Sequence, residues 1–165
     1  MQDLAEPEIL LAQLAEQLTT TLADRAIAQP LMVGIHTGGV WVAKYLHQAL
    51  QLDEPLSTLD ISFYRDDFSR IGMNPKVKPS QLPPHVDDRH IVLVDDVMHT
   101  GRTIRAAMNE LFDYGRPASI VLAVLVERNG RELPIRPDVA ALQLELKPEQ
   151  HIKLTGPQPL QLVLT

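Results

Sequence analysis

Leu11, Leu14, Leu18 and Leu22 recur at spacings of three and four, which places them on one stripe of a helix predicted over residues 7–29. Pro7 suits its first turn, and Pro30 prevents its continuation. Leu31-Met32-Val33-Gly34-Ile35 then reads as a short buried strand. His36-Thr37-Gly38-Gly39 forms a turn, and helical spacing returns from Val40 to Gln51. Ser57 to Tyr64 alternates, with Leu59, Ile61 and Phe63 on one face and Thr58, Asp60 and Ser62 on the other, the pattern of a half-buried strand.

Residues 65–89 break the pattern. They are polar and interrupted by Pro75, Pro79, Pro83 and Pro84, and so long a structureless stretch predicts a mobile flap. Ile91–Val94 is a fully apolar strand that ends in Asp95-Asp96. A loop over Val97–Gly101 leads into a helix from Arg102 to Tyr114, with Gly115 and Pro117 as its stop signals. Ile120–Val126 is the next buried strand. Strand–helix–strand order with continuous apolar runs predicts an α/β protein with a parallel sheet covered on both faces. The last 35 residues contain five prolines and three short alternating pieces, Val139–Leu146, His151–Thr155 and Leu160–Leu164. They predict a small β-rich hood over 139–165, attached to a core over 1–138 that includes the flap.

Composition narrows the chemistry. At 165 residues, 45% of them hydrophobic, the chain can bury a single-domain core. The absence of cysteine removes disulfide scaffolds, thiolate metal sites and cysteine nucleophiles together. Fifteen basic against 21 acidic residues give a net charge of -6, which argues against a non-specific nucleic-acid binder but not against a local basic face. The acidic start and the lack of long apolar runs predict neither a signal peptide nor a membrane helix, hence a cytoplasmic protein with no membrane partner.

Two loops fall at the carboxyl ends of predicted parallel strands, where ligands of such sheets bind. In His36-Thr37-Gly38-Gly39, paired glycines before a helix let the backbone approach an anion. In Asp95-Asp96-Val97-Met98-His99-Thr100-Gly101-Arg102-Thr103, two adjacent carboxylates need a cation or hydroxyl donors, and the Thr100–Thr103 end is built as a phosphate cradle. Acceptors for sugar hydroxyls beside donors for a phosphate outline a ribose 5-phosphate. The P-loop and dinucleotide glycine patterns are absent.

The Val92–Thr103 stretch closely resembles the phosphoribosyl diphosphate (PRPP) motif of type I phosphoribosyltransferases. Val33–Gly39, Asp60–Asp67 and Arg131–Asp138 further resemble the group of pyrimidine operon attenuation regulators that also act as uracil phosphoribosyltransferases. The resemblance covers roughly residues 7–138 and implies the type I phosphoribosyltransferase fold with a C-terminal hood. It implies conversion of uracil and PRPP to UMP and diphosphate. Magnesium would enter on the diphosphate of PRPP, with no metal site of the protein's own. By the same resemblance Asp95 and Asp96 hold the ribose hydroxyls and favour a cationic transition state, with Asp96 as general base. Val97, Met98 and His99 lie along the same loop, and Thr100, Gly101, Arg102 and Thr103 grip the 5-phosphate. Thr37, Gly38 and Gly39 hold the diphosphate, and Arg65 closes over PRPP with the flap. Arg128 faces the base or the diphosphate, and the hood near Ile152 recognises uracil. Arg128, Arg131 and Arg136 form the RNA contact for a pyr mRNA leader, uridine nucleotides act as effectors, and the chain forms a homodimer or an assembly of dimers.

This chain departs from the pattern in several places. Gly38 stands where arginine is common, His36 where lysine is usual, and Gly130 where a histidine is found. Ala140–Lys147 lacks the Gly-Lys-Asn-Ile-Pro-Thr-like segment of the hood. Two alternatives follow: a catalytically weak nucleotide-sensing regulator, and a phosphoribosyltransferase for another base. The segment 127–138 is neutral by count, because Glu127, Glu132 and Asp138 interleave with its three arginines. Trp41 reads as a packing residue, and His85 and His90 lack the spacing of metal ligands.

Overall fold

The computed structural model describes residues 4–62 and 80–165. In chain order the elements are α1 (Pro7–Asp24), β1 (Leu31–Ile35), α2 (Gly38–Ala49), β2 (Ser57–Leu59), β3 (His90–Met98), α3 (Arg102–Asp113), β4 (Ser119–Arg128), β5 (Val139–Leu144), β6 (Ile152–Thr155) and β7 (Gln161–Leu164). The first five strands form one parallel sheet in the order β2-β1-β3-β4-β5, and β6 and β7 form a separate antiparallel hairpin.

Alternation along the strands divides the core in two. Met32, Val92, Val94, Val121 and Ala123 pack with the leucine stripe of α1, the inner face of α2, and Ile152 and Leu154 of the hairpin. Leu31, Val33, Leu93, Leu122 and Val124 pack with Ile104, Ala107 and Leu111 of α3 on the other face. Leu14 and Leu18 are fully buried, and each such side chain contributes roughly 1.5–3 kcal/mol of burial. Helices α1, α2 and α3 thus cover both faces, as continuous apolar strands require.

Several boundaries differ from the pattern-based expectation. α1 stops at Asp24, not 29, because Ala26 takes a positive φ and Ile27 N–H bonds back to the Leu22 carbonyl. α2 begins at Gly38, so the glycine pair forms its first turn. The Ser57–Tyr64 strand pairs only to Leu59. Asp60 Oδ1 accepts the Ser62 backbone N–H (3.0 Å) and hydroxyl (2.5 Å), closing a turn that ends the ladder. Phe63 and Tyr64 lie outside the described residues, as does the flap from 65 to 79. The end of the stretch expected to be mobile is anchored: Val86 is buried, Val86 and Asp88 donate backbone bonds to Tyr114 and Arg116, and Arg89 pairs with Glu54. The Val139–Leu146 piece, expected in the hood, supplies β5 of the main sheet, parallel to β4 from Ala123↔Val139 to Arg128↔Leu144. The apolar length of β4 is what offers it a ladder partner; only the β6–β7 hairpin stands apart.

Candidate active site

β3 runs through the acidic pair instead of ending before it. Asp95 pairs with Val124, Val97 with Val126 and Met98 with Glu127. Each carboxylate occupies the next backbone amide: Asp96 N–H donates to Asp95 Oδ1 and Val97 N–H to Asp96 Oδ1, both at 2.9 Å. Val94 and Val97 lie in the same half of the core, so the two-residue alternation slips by one across Asp95-Asp96. Asp95 is buried and Asp96 half-buried.

The first turn of α2 presses directly on this pair. A Cβ on Gly38 would stand 2.2 Å from Asp96 Oδ2, and one on Gly39 would stand 2.7 Å from the Val94 carbonyl oxygen. No side chain fits at either position without displacing the acidic pair. Glycine at 38 is therefore matched to the position of Asp96. The His36–Thr37 peptide is cis, and Thr37 is exposed at the end of α2.

After Met98 the chain turns through His99 and Thr100 to Gly101, whose φ of +93° caps α3. Thr100 Oγ1 accepts the Arg102 amide at 3.2 Å, and the Thr100 carbonyl accepts the amides of Glu132 and Leu133. Asp95, Val97–Gly101, Thr103 and Ile104 line a hollow of about 70 Å³. The amino end of α3 thus presents the positive end of its helix dipole to this hollow. Arg102 is exposed, with Nε donating to Glu132 at 2.9 Å. His99 turns toward Gly130, where a Cβ would stand 2.7 Å from its Nε2. Burial, followed by the charges of Arg128 and His151, lowers the His99 pKa, and Glu132 opposes the shift.

The structure thus brings Gly38, Gly39, Asp95 and Asp96 together and sets Thr100–Thr103 at the next turn. Arg65 lies outside the described residues. Arg128 is buried, with Nη1 donating to the Gln150 carbonyl at 2.8 Å. The Ile152 side chain belongs to the core. Arg131 and Arg136 are exposed and line, with Arg128, Glu127 and Glu145, an open groove of about 630 Å³. Glu132 pairs with Arg102, and Asp138 pairs with Arg25 at 2.7 Å. Two of the acids that neutralise segment 127–138 in sequence are therefore engaged by cations from elsewhere. Trp41 packs against the core, and among the described residues no three His, Asp or Glu side chains converge as metal ligands. Pattern reading missed a polar network below β2: Ser80 Oγ accepts the Asp60 amide (3.3 Å) and donates to Glu110 (2.7 Å). Its members stand 20 and 30 residues apart across 60, 80 and 110, so no local motif signals it.

A five-stranded parallel sheet carrying an acidic pair, a glycine turn pressed on it and a threonine-rich loop that opens a helix defines a phosphoribosyltransferase, and the phosphoribosyl transferase domain profile matches residues 3–154. A hypoxanthine phosphoribosyltransferase from Staphylococcus aureus superposes with a TM-score of 0.65 at 16% identity, covering 87% of this chain and 77% of its own. A hypoxanthine-guanine phosphoribosyltransferase from Bacillus anthracis gives 0.68 at 15%, covering 91% and 86%. These show the shared fold alone. A bifunctional protein PyrR from Pseudomonas fluorescens is 56% identical over 161 residues, 98% of this chain and 96% of its own. Another from Nitrosococcus oceani is 58% identical over 156 residues, 93% and 88% respectively. The chain belongs to the PyrR family.

Proposed function

We propose that the protein is a uracil phosphoribosyltransferase that also regulates pyr gene expression. The observation that carries the catalytic reading is the glycine turn of α2 seated against Asp95-Asp96, one turn from the amino end of α3. Diphosphate, ribose and 5-phosphate then have three adjoining places. Backbone at Thr37–Gly39 takes the diphosphate, Asp95 and Asp96 the ribose hydroxyls, and Thr100–Thr103 the 5-phosphate. In the reaction the bond from ribose C1 to diphosphate breaks and the bond to uracil N1 forms. Asp96, the more exposed carboxylate, accepts the N1 proton while both acids stabilise the cationic sugar. Magnesium fits this donor set as a diphosphate complex, since it is commonly held by substrate phosphates and one or two carboxylates.

Recognition of uracil falls to backbone. His151 and Thr165 exchange both backbone bonds, at 2.7 and 2.8 Å, so the neighbouring pair Ile152↔Leu164 is of the non-bonded kind. The N–H and C=O of Ile152 therefore point off the free edge of β6, where they complement the imide edge of uracil. Arg131 and Arg136 supply the RNA face, in a cytoplasmic protein that acts as a dimer or an assembly of dimers; their groove is where the fold leaves cations without carboxylate partners among the described residues. Among those residues no helix is long and apolar enough to cross a membrane.

The test is diphosphate release from PRPP with uracil, hypoxanthine, adenine and orotate run side by side. Uracil is expected to react, and Asp96→Asn to lower kcat by about 100-fold or more. Tight UMP binding with no product from any base would sink the enzyme reading.

A further inference from the structure

Arg128 ends β4 and is only 7% exposed. A buried guanidinium is costly unless its donors are met. Among the described residues Arg128 makes no ion pair. Its donors go to carbonyls, Nη1 to Gln150 at 2.8 Å and Nε to Asn129 at 3.4 Å. Asn129 continues the pattern. Its side chain brackets Leu146, donating to the carbonyl at 3.0 Å and accepting the amide at 2.8 Å, and its own N–H donates to Leu144 at 3.1 Å.

Both residues thus grip the connector between β5 and β6. Within the connector, Lys147 N–H donates to Gln150 Oε1 (2.9 Å), and Gln150 N–H to the Lys147 carbonyl (2.9 Å). A two-stranded hairpin is marginal alone, so the place of β6–β7 depends on its anchors. These include Ile152 and Leu154 in the core, Leu160, Leu162 and Leu164 packed against it, and the carbonyl held by Arg128. That carbonyl lies two residues before Ile152. His151, between them, exchanges both backbone bonds with Thr165, so a displacement at Gln150 is carried to the start of β6.

We infer that Arg128 and Asn129 are positioning residues for the base: they strap the connector to the end of β4 and so set the backbone edge that meets uracil. The inference rests on the functional reading above. It takes Arg128 away from direct contact with diphosphate or RNA and gives it a part in the specificity of the reaction.

Steady-state kinetics on the full chain test it, with Arg128→Met, Arg128→Lys and Asn129→Ala. Arg128→Met is expected to raise the KM for uracil about tenfold, with the KM for PRPP within about twofold and kcat little changed. Arg128→Lys, which keeps a cationic donor for the Gln150 carbonyl, should recover part of the loss. Asn129→Ala, a milder change that leaves the charge in place, should give a smaller rise. Hydrogen exchange of amides 151–165 should quicken in both Arg128→Met and Asn129→Ala. A parallel rise in the KM for PRPP would mean that Arg128 contacts the diphosphate and overturns the proposal, as does an unchanged KM for uracil. A wild type that forms no product from uracil fails the functional reading instead. The strap is then decided by exchange alone, and unchanged protection in both variants overturns it.

Discussion

Gly38 shows how much one missing side chain decides. The space where its Cβ would stand is taken by Asp96 Oδ2, 2.2 Å away. Even alanine must push that carboxylate aside or tilt the start of α2, because Asp96 Cγ and Cβ, at 2.7 and 3.1 Å, crowd the same space. We therefore expect Gly38→Ala to lower kcat/KM for PRPP by about tenfold or more, measured at saturating uracil, with a smaller fall in Tm. An arginine at this position, common in the resembled group, needs a different arrangement of the turn or of Asp96. Gly130 stands in the same relation to His99: a side chain there meets the imidazole. The glycines and the acidic pair were legible as a candidate site in sequence. Their mutual fit was not, since residues 38 and 96 lie in different strand–helix units.

At the scale of elements, α3 joins two tasks. Its amino end frames the hollow proposed for the 5-phosphate, and its other end carries Glu110 into the polar network with Ser80 and Asp60. Glu110 Oε2 is buried without a hydrogen-bond partner among the described residues. Burial raises the Glu110 pKa, the Ser80 hydroxyl opposes the shift, and Asp113 and Asp60 add to it. A carboxyl raised in the folded state favours its protonated form there. Its stabilising contribution is present below the unfolded-state pKa and is lost as pH rises through the folded-state value. Glu110→Gln keeps an acceptor for Ser80 and removes the charge. We expect its Tm to exceed that of the wild type at pH 8 and the gap to close near pH 4, as followed by thermal unfolding at both values. The hydrophobic pattern located each described helix and strand of the core, because burial on one face imposes a period that a sequence displays. It misplaced ends where the terminating device is a bond, as at Ile27 or Ser62, and it assigned β5 to the hood because parallel pairing with β4 leaves no local mark.

For the whole molecule, net charge is a poor guide to partners. The chain carries -6, and its arginine-rich segment is neutral by count. Folding redistributes that balance: Arg25 comes across to Asp138 and Arg102 to Glu132, which leaves Arg131 and Arg136 facing an open groove. If this is the RNA face, Arg131→Ala and Arg136→Ala should each weaken binding of a pyr leader and reduce its dependence on log salt by about one unit. Arg128→Met should leave that slope unchanged, since its guanidinium is buried against Gln150. Filter or anisotropy titrations at several salt concentrations check both.

The sequence by itself determined the chemistry on offer: an apolar strand ending in Asp95-Asp96, a glycine pair before a helix, and a hydroxyl-rich helix start. Those features are local, and each follows from a few consecutive residues. Tertiary structure alone decided which cations remain unpaired among the described residues, what stands against Gly38, and that Arg128 turns inward to the Gln150 carbonyl. Such facts depend on contacts between distant segments, where close packing and charge pairing select among arrangements that the local pattern leaves equal.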